Sequence, residues 1–166
     1  ALVTVRNVEF LQFSDQTIAA TPTGGLLVAG DATNDTMNGT AFADTLGGLG
    51  GHDVINGLGG NDILDGGSGN DNLNGGDGDD ILIGGLGDDT LTGGAGFDTA
   101  DYSGAHEGVT VNLATGQASG GAGNDTLTGI EAVIGTAASD ILTGDAGANV
   151  LRGGGHGQEQ QEQAGG

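Results

Sequence analysis

The chain has 166 residues, enough for one ordinary domain and too few for an enzyme with a separate accessory module. Glycine fills 39 positions, about three times its usual share, and 23 acidic residues against 2 basic ones leave a formal charge of −21, which repels phosphate backbones and anionic lipid and attracts cations. Nucleic acid is thereby excluded as a partner, and the absence of Cys removes disulfides, thiolate catalysis and cysteine-held zinc or iron-sulfur sites. No apolar run reaches the roughly 20 residues of a membrane span, and Ala1 opens no signal peptide with a basic leader, so the chain reads as a piece of a longer protein. Within residues 1–29, VTVRNVEFLQF (3–13) has a density of Val, Leu and Phe that predicts strand, followed by SDQT as a turn. Val3, Val5, Val8, Phe10 and Phe13 are expected to cap the first coil of a repeat block that begins at residue 30, or to end a preceding one.

From Gly30 the glycines keep a period of nine, with units beginning at Gly39, Gly48, Gly57, Gly66, Gly75, Gly84 and Gly93. The sixth place of all eight units is Asp: Asp35, Asp44, Asp53, Asp62, Asp71, Asp80, Asp89 and Asp98. The eighth is apolar: Met37, Leu46, Ile55, Leu64, Leu73, Leu82, Leu91 and Ala100. Such a unit divides into a six-residue turn half and a three-residue piece with one central apolar side chain, a small solenoid coil with a strand that turns that side chain inward. A strand of this kind buries almost nothing alone, so stability must come from stacking on neighbouring coils.

Residues 30–101 hold 14 Asp and no Lys, Arg or Glu, so the repulsion must be offset from outside. Asp carboxylates with backbone carbonyls from glycine-rich turns form an all-oxygen environment, which suits calcium with its six to eight adaptable oxygen ligands better than near-octahedral magnesium. If two units make one coil, Asp35, Asp53, Asp71 and Asp89 line one edge and Asp44, Asp62, Asp80 and Asp98 the other. An ion between successive same-edge turns then gives about six sites, and about +12 of charge that leaves about −9.

Residues 102–119 lack the Asp register but hold an alternating VTVNL strand, and a wider coil without calcium is expected there, with Tyr102 covering coil ends. Over 120–152 the units return in degenerate form as GGAGNDTLT, GTAASDILT and GDAGANVLR, placing Leu127, Leu142 and Leu151 inward. GIEAVI (129–134) shortens the Asp125 to Asp140 interval to 15, so a local bulge or reset is required. The tail, 153–166, reads as a low-complexity linker.

These units resemble the GGxGxDxUx repeats of the RTX (repeats-in-toxin) family, continuously over 30–101 and again over 120–152. The resemblance implies an all-β fold, a right-handed parallel beta-helix called the calcium-binding parallel beta-roll, with calcium between turns, ordered by calcium and disordered where calcium is scarce. It adds Asp125 and Asp140 to the calcium ligands, and backbone carbonyls of Gly66, Gly69, Gly75, Gly78, Gly84 and Gly87. Asn149 in place of Asp, and Thr33 and Phe42 in place of the fourth Gly, predict weak or absent sites at those units. It further implies a secreted or cell-surface bacterial protein exported by type I secretion machinery, with this monomeric region as a calcium-dependent folding and stabilising module. Alternative readings are a polysaccharide- or surface-binding module, or a rigid spacer of an adhesin.

Catalysis finds little support. Carboxylate pairs such as Asp79 with Asp80 recur at equivalent turn places, whereas a catalytic constellation is unique. His52, His106 and His156 lack the H-E-x-x-H spacing, no G-x-S-x-G elbow surrounds any Ser, and a chain without Lys has no Walker motif. The region is read as non-catalytic.

Overall fold

The computed structural model describes residues 24–154, together with the backbone of two short strands, Phe10–Gln12 and Glu159–Gln161. The capping side chains expected at Val3, Val5, Val8, Phe10 and Phe13, and most of the tail, lie outside the described residues. Every regular element among the described residues is a strand. Each nine-residue unit yields one, and successive units alternate between two facing sheets. One coil is therefore two units. Leu46 pairs with Leu64 and Leu64 with Leu82 in one sheet, Ile55 with Leu73 and Leu73 with Leu91 in the other, all parallel and all 18 residues apart. The result is a parallel β-solenoid of about seven turns.

The core is the single file of eighth-place side chains between the sheets. Met37, Leu46, Ile55, Leu64, Leu73, Leu82, Leu91, Leu127 and Leu142 are buried, while Leu151 packs against this cluster from a partly exposed position. Each buried Leu or Ile contributes roughly 1.5–3 kcal/mol, and only because coils above and below cover it. The turns carry strain. Leu49 and Leu58 have φ of 73° and 78° where later units use glycine, a conformation that costs an L-residue about 1–2 kcal/mol.

The stretch 102–119, read from sequence as a wider coil, contains an antiparallel hairpin of Val109–Asn112 with Gln117–Gly120. Gln117–Gly120 also pairs antiparallel with Gly123–Thr128, which rejoins the stack parallel to Thr90–Ala95. A tight turn can close an antiparallel pair but not a parallel one, and Gly116 with φ of 64° supplies it. Alternation in VTVN buries Val109 and Val111 and leaves Thr110 exposed. The second sheet thus takes an extra antiparallel strand pair where the first sheet passes directly from Thr99–Asp101 to Ala132–Ile134.

Candidate metal centre

All ten Asp residues expected as ligands are buried, from Asp35 and Asp44 through Asp125 and Asp140, none more than 4% exposed. Carboxylates are rarely interior without partners, and half of the reason here is a hydrogen bond. In the regular coils Oδ1 of each Asp accepts the backbone N–H of the Asp one coil earlier. Asp53 accepts from Asp35, Asp62 from Asp44, Asp71 from Asp53, Asp80 from Asp62, Asp89 from Asp71 and Asp98 from Asp80, at 2.7–2.9 Å. The ladder then jumps the inserted hairpin, Asp125 accepting from Asp89 at 3.0 Å. This bond holds coil to coil and leaves the second oxygen over.

That second oxygen is what the stack does not satisfy. Oδ2 of Asp53, Asp62, Asp71, Asp80, Asp89, Asp98 and Asp125 is buried with no hydrogen-bond partner. A backbone carbonyl oxygen, itself only an acceptor, lies close to five of them. The point where a Cβ on Gly48 would sit is 2.0 Å from Asp53 Oδ2 and 2.6 Å from the Gly66 carbonyl oxygen. The same convergence joins Asp62 with Gly75, Asp71 with Gly84, Asp80 with Gly93 and Asp98 with Gly129. Any side chain at the first place of a unit would fill this cradle, which is why glycine stands there. The carbonyls of Gly69, Gly78 and Gly87 instead abut the fourth-place glycine of the next coil, Gly87, Gly96 and Gly123. Among the described residues no three acidic or histidine side chains converge on one point. An ion in such a gap would take one or two carboxylate oxygens and complete its shell with carbonyls. That donor set, oxygen throughout, fits calcium and leaves no role for a soft metal.

Electrostatics point the same way. Burial raises the titration of Asp62 and Asp98 to about 6 and that of Asp89 to about 7, against 3.8 for a free side chain; the backbone N–H bonds oppose the shift without cancelling it. Burial likewise raises Asp53, Asp71, Asp80 and Asp125. Neighbouring carboxylates add to the shift, Asp125 and Asp71 both acting on Asp89.

The end units are built differently. Asp35 Oδ2 accepts the N–H of Asp31 at 2.8 Å, Asp44 Oδ2 that of Thr40 at 2.5 Å and Asp140 Oδ2 that of Thr136 at 2.9 Å. Asn149 Oδ1 accepts the N–H of Asp145 in the same manner at 2.7 Å. In these units the second residue supplies the donor, whereas from Gly48 to Asp101 that residue is left-handed and none of its N–H groups reaches the carboxylate.

With this geometry in place, comparison with known families is decisive. A model of the RTX calcium-binding nonapeptide repeat matches residues 29–64, 65–100, 117–129 and 130–156, more than half of the chain. The chain belongs to the RTX calcium-binding nonapeptide repeat family. RTX repeats bind calcium, and their number here implies several ions. They occur in secreted bacterial proteins, and no helix among the described residues is long and apolar enough to cross a membrane. A search of curated proteins gave no match.

Three features of the RTX stack were missed from sequence. Glu131 takes the ladder place after Asp98, its Oε2 accepting the Asp98 N–H at 2.8 Å, and this is the reset within GIEAVI. The Gly129 carbonyl lies beside the Gly93 cradle of Asp98, where a repeat glycine would otherwise stand. A second, exposed ladder runs through the fifth places: His52 N–H to Asn34 at 2.8 Å, Asn70 N–H to His52 Nδ1 at 2.7 Å, and Asp88 N–H to Asn70 at 3.2 Å. Strict spacing of 18 was the available signal for that ladder, whereas Glu131, 33 residues from Asp98, carries none.

Proposed function

We propose that this region is a non-catalytic, calcium-dependent folding and stabilising module of a larger secreted bacterial protein. The observation that carries it is the row of seven buried, unpartnered carboxylate oxygens, because at neutral pH a metal-free stack must either keep them charged out of water or protonate them. Calcium removes the conflict. Ions are assigned to the gaps Asp53–Asp71, Asp71–Asp89 and Asp89–Asp125 on one edge and Asp62–Asp80 and Asp80–Asp98 on the other, about five in all with the Gly66, Gly75, Gly84 and Gly93 carbonyls completing shells. Asp35, Asp44 and Asp140, whose Oδ2 already holds an N–H, are weaker ligands in this reading. A chain in which ligand binding and stacking are one event is open where calcium is scarce and folds where it is plentiful.

The experiment is a calcium titration followed by far-UV circular dichroism and hydrodynamic radius, with magnesium at matched ionic strength. A cooperative, calcium-specific gain of β-structure with compaction supports the reading. A chain equally folded in chelator removes it, together with the ion assignments.

A further inference from the structure

We infer that Glu131 closes a further calcium site, together with Asp98 Oδ2 and the Gly129 carbonyl oxygen, at the step where the second edge leaves the nonapeptide pattern. The inference rests on the calcium reading above and extends it to two residues of the GIEAVI interruption. Strand pairing fixes their register. Thr99 lies beside Ala132, and the Ala132 N–H reaches the Asp98 carbonyl at 2.9 Å, as the Thr99 N–H reaches the Asp80 carbonyl at 2.9 Å. The residue before Ala132 therefore stands where a sixth-place Asp would stand, although it follows Asp98 by 33 residues instead of 18. Glu131 also does what that Asp does. Its Oε2 accepts the Asp98 N–H at 2.8 Å, where one coil earlier Asp98 Oδ1 accepts the Asp80 N–H at 2.9 Å.

Asp98 is 0% exposed, and its Oδ2 has no hydrogen-bond partner. The position that a Cβ on Gly93 would take is 2.5 Å from that oxygen and 1.9 Å from the Gly129 carbonyl oxygen. On the preceding coil the corresponding position at Gly75 is 2.2 Å from Asp80 Oδ2 and 2.7 Å from the Gly93 carbonyl oxygen, so the cradle is reproduced with a carbonyl from a different source. Only three residues, 129–131, link the strand ending at Thr128 to the one starting at Ala132, where a repeat turn has six. Within that short turn Gly129 has φ of 60°, a backbone state open to glycine at little cost. Two acceptors thus converge on a dry gap with no hydrogen between them, next to a second carboxylate. Leaving them unpaired costs free energy that a cation removes, and a donor set of oxygen alone suits calcium.

The full chain is unfolded in urea at a series of calcium concentrations. The slope of the logarithm of the folding constant against the logarithm of free calcium counts the ions taken up on folding. Glu131→Gln keeps an oxygen able to accept the Asp98 N–H and removes the charge. It is expected to bind this ion at least about tenfold more weakly and to lower the slope by about one until the weakened site fills, with compaction still reached at saturating calcium. Glu107→Gln removes an equal charge from an exposed place and should keep the slope of the parent. If Glu131 only held the Asp98 N–H, its substitution would shift stability equally at every calcium concentration. An unchanged slope in Glu131→Gln, an equal fall in both variants, or a Glu131→Gln chain that stays open at saturating calcium would overturn the site and leave the calcium module standing. A parent chain whose stability is independent of calcium overturns both.

Discussion

Acid should substitute in part for calcium. A carboxyl that titrates near 7 in the folded chain and near 3.8 in the unfolded one, as Asp89 does, disfavours the ionised folded state by roughly 4 kcal/mol. Because the folded value is the higher one, the stabilisation belongs to the protonated form: it is complete below about pH 4 and is lost as pH rises through about 7. At pH 5 relative to pH 8, Asp89 contributes roughly 2.6 kcal/mol and Asp62 and Asp98 roughly 1.4 kcal/mol each, or about 5 kcal/mol if the sites act independently. That rivals the net stability of a small domain. The assay is far-UV circular dichroism of the calcium-stripped chain across this range, with urea to place each midpoint. Two variants separate the sites from the general effect of net charge. Asp89→Asn removes the largest single contributor and should remove roughly 2.6 kcal/mol of the pH dependence, whereas Asp77→Asn removes an equal charge from an exposed place and should leave it intact. Stability that does not rise on acidification, or a pH dependence equal in the two variants, would refute the argument that buried carboxylates oppose the metal-free stack.

Further outcomes can be measured on the same chain. Asp71→Asn, which touches two assigned gaps, should lower the calcium count seen by calorimetry, while Asp140→Asn, whose carboxylate already accepts N–H and hydroxyl bonds from Thr136, should leave it unchanged. Leu73→Ala opens a cavity in the single-file core at a cost of about 3 kcal/mol; spread over about five cooperatively bound ions, that raises the calcium midpoint roughly threefold. Gly69→Ala would place a Cβ 1.5 Å from the Gly51 carbonyl oxygen at φ of 129°, and should cost more than about 2 kcal/mol in urea unfolding, while Gly104→Ala, with nothing within 4 Å, should be silent.

Much of this molecule could be read from its repeat alone. A period of nine with Asp sixth and an apolar residue eighth contains the strand, its inward side chain and the two-unit coil, because each coil interacts only with its neighbours and local pattern becomes global structure by stacking. The ten buried Asp and the core from Met37 to Leu142 follow from that logic. What the repeat does not contain is where it is broken. The hairpin at 109–120 and Glu131 in the place of an Asp depend on which segments meet after the interruption, and no fixed spacing announces them. Nor does the composition reveal that the two oxygens of one carboxylate have different fates. Oδ1 is used between coils, while Oδ2 is either held by the N–H of its own turn, as at Asp44, or left bare, as at Asp71. That distinction rests on the direction of single peptide groups in turns of nearly the same sequence, so the amino-acid sequence by itself determined that calcium would be bound, and only the stacked tertiary structure decided which oxygens are free to bind it.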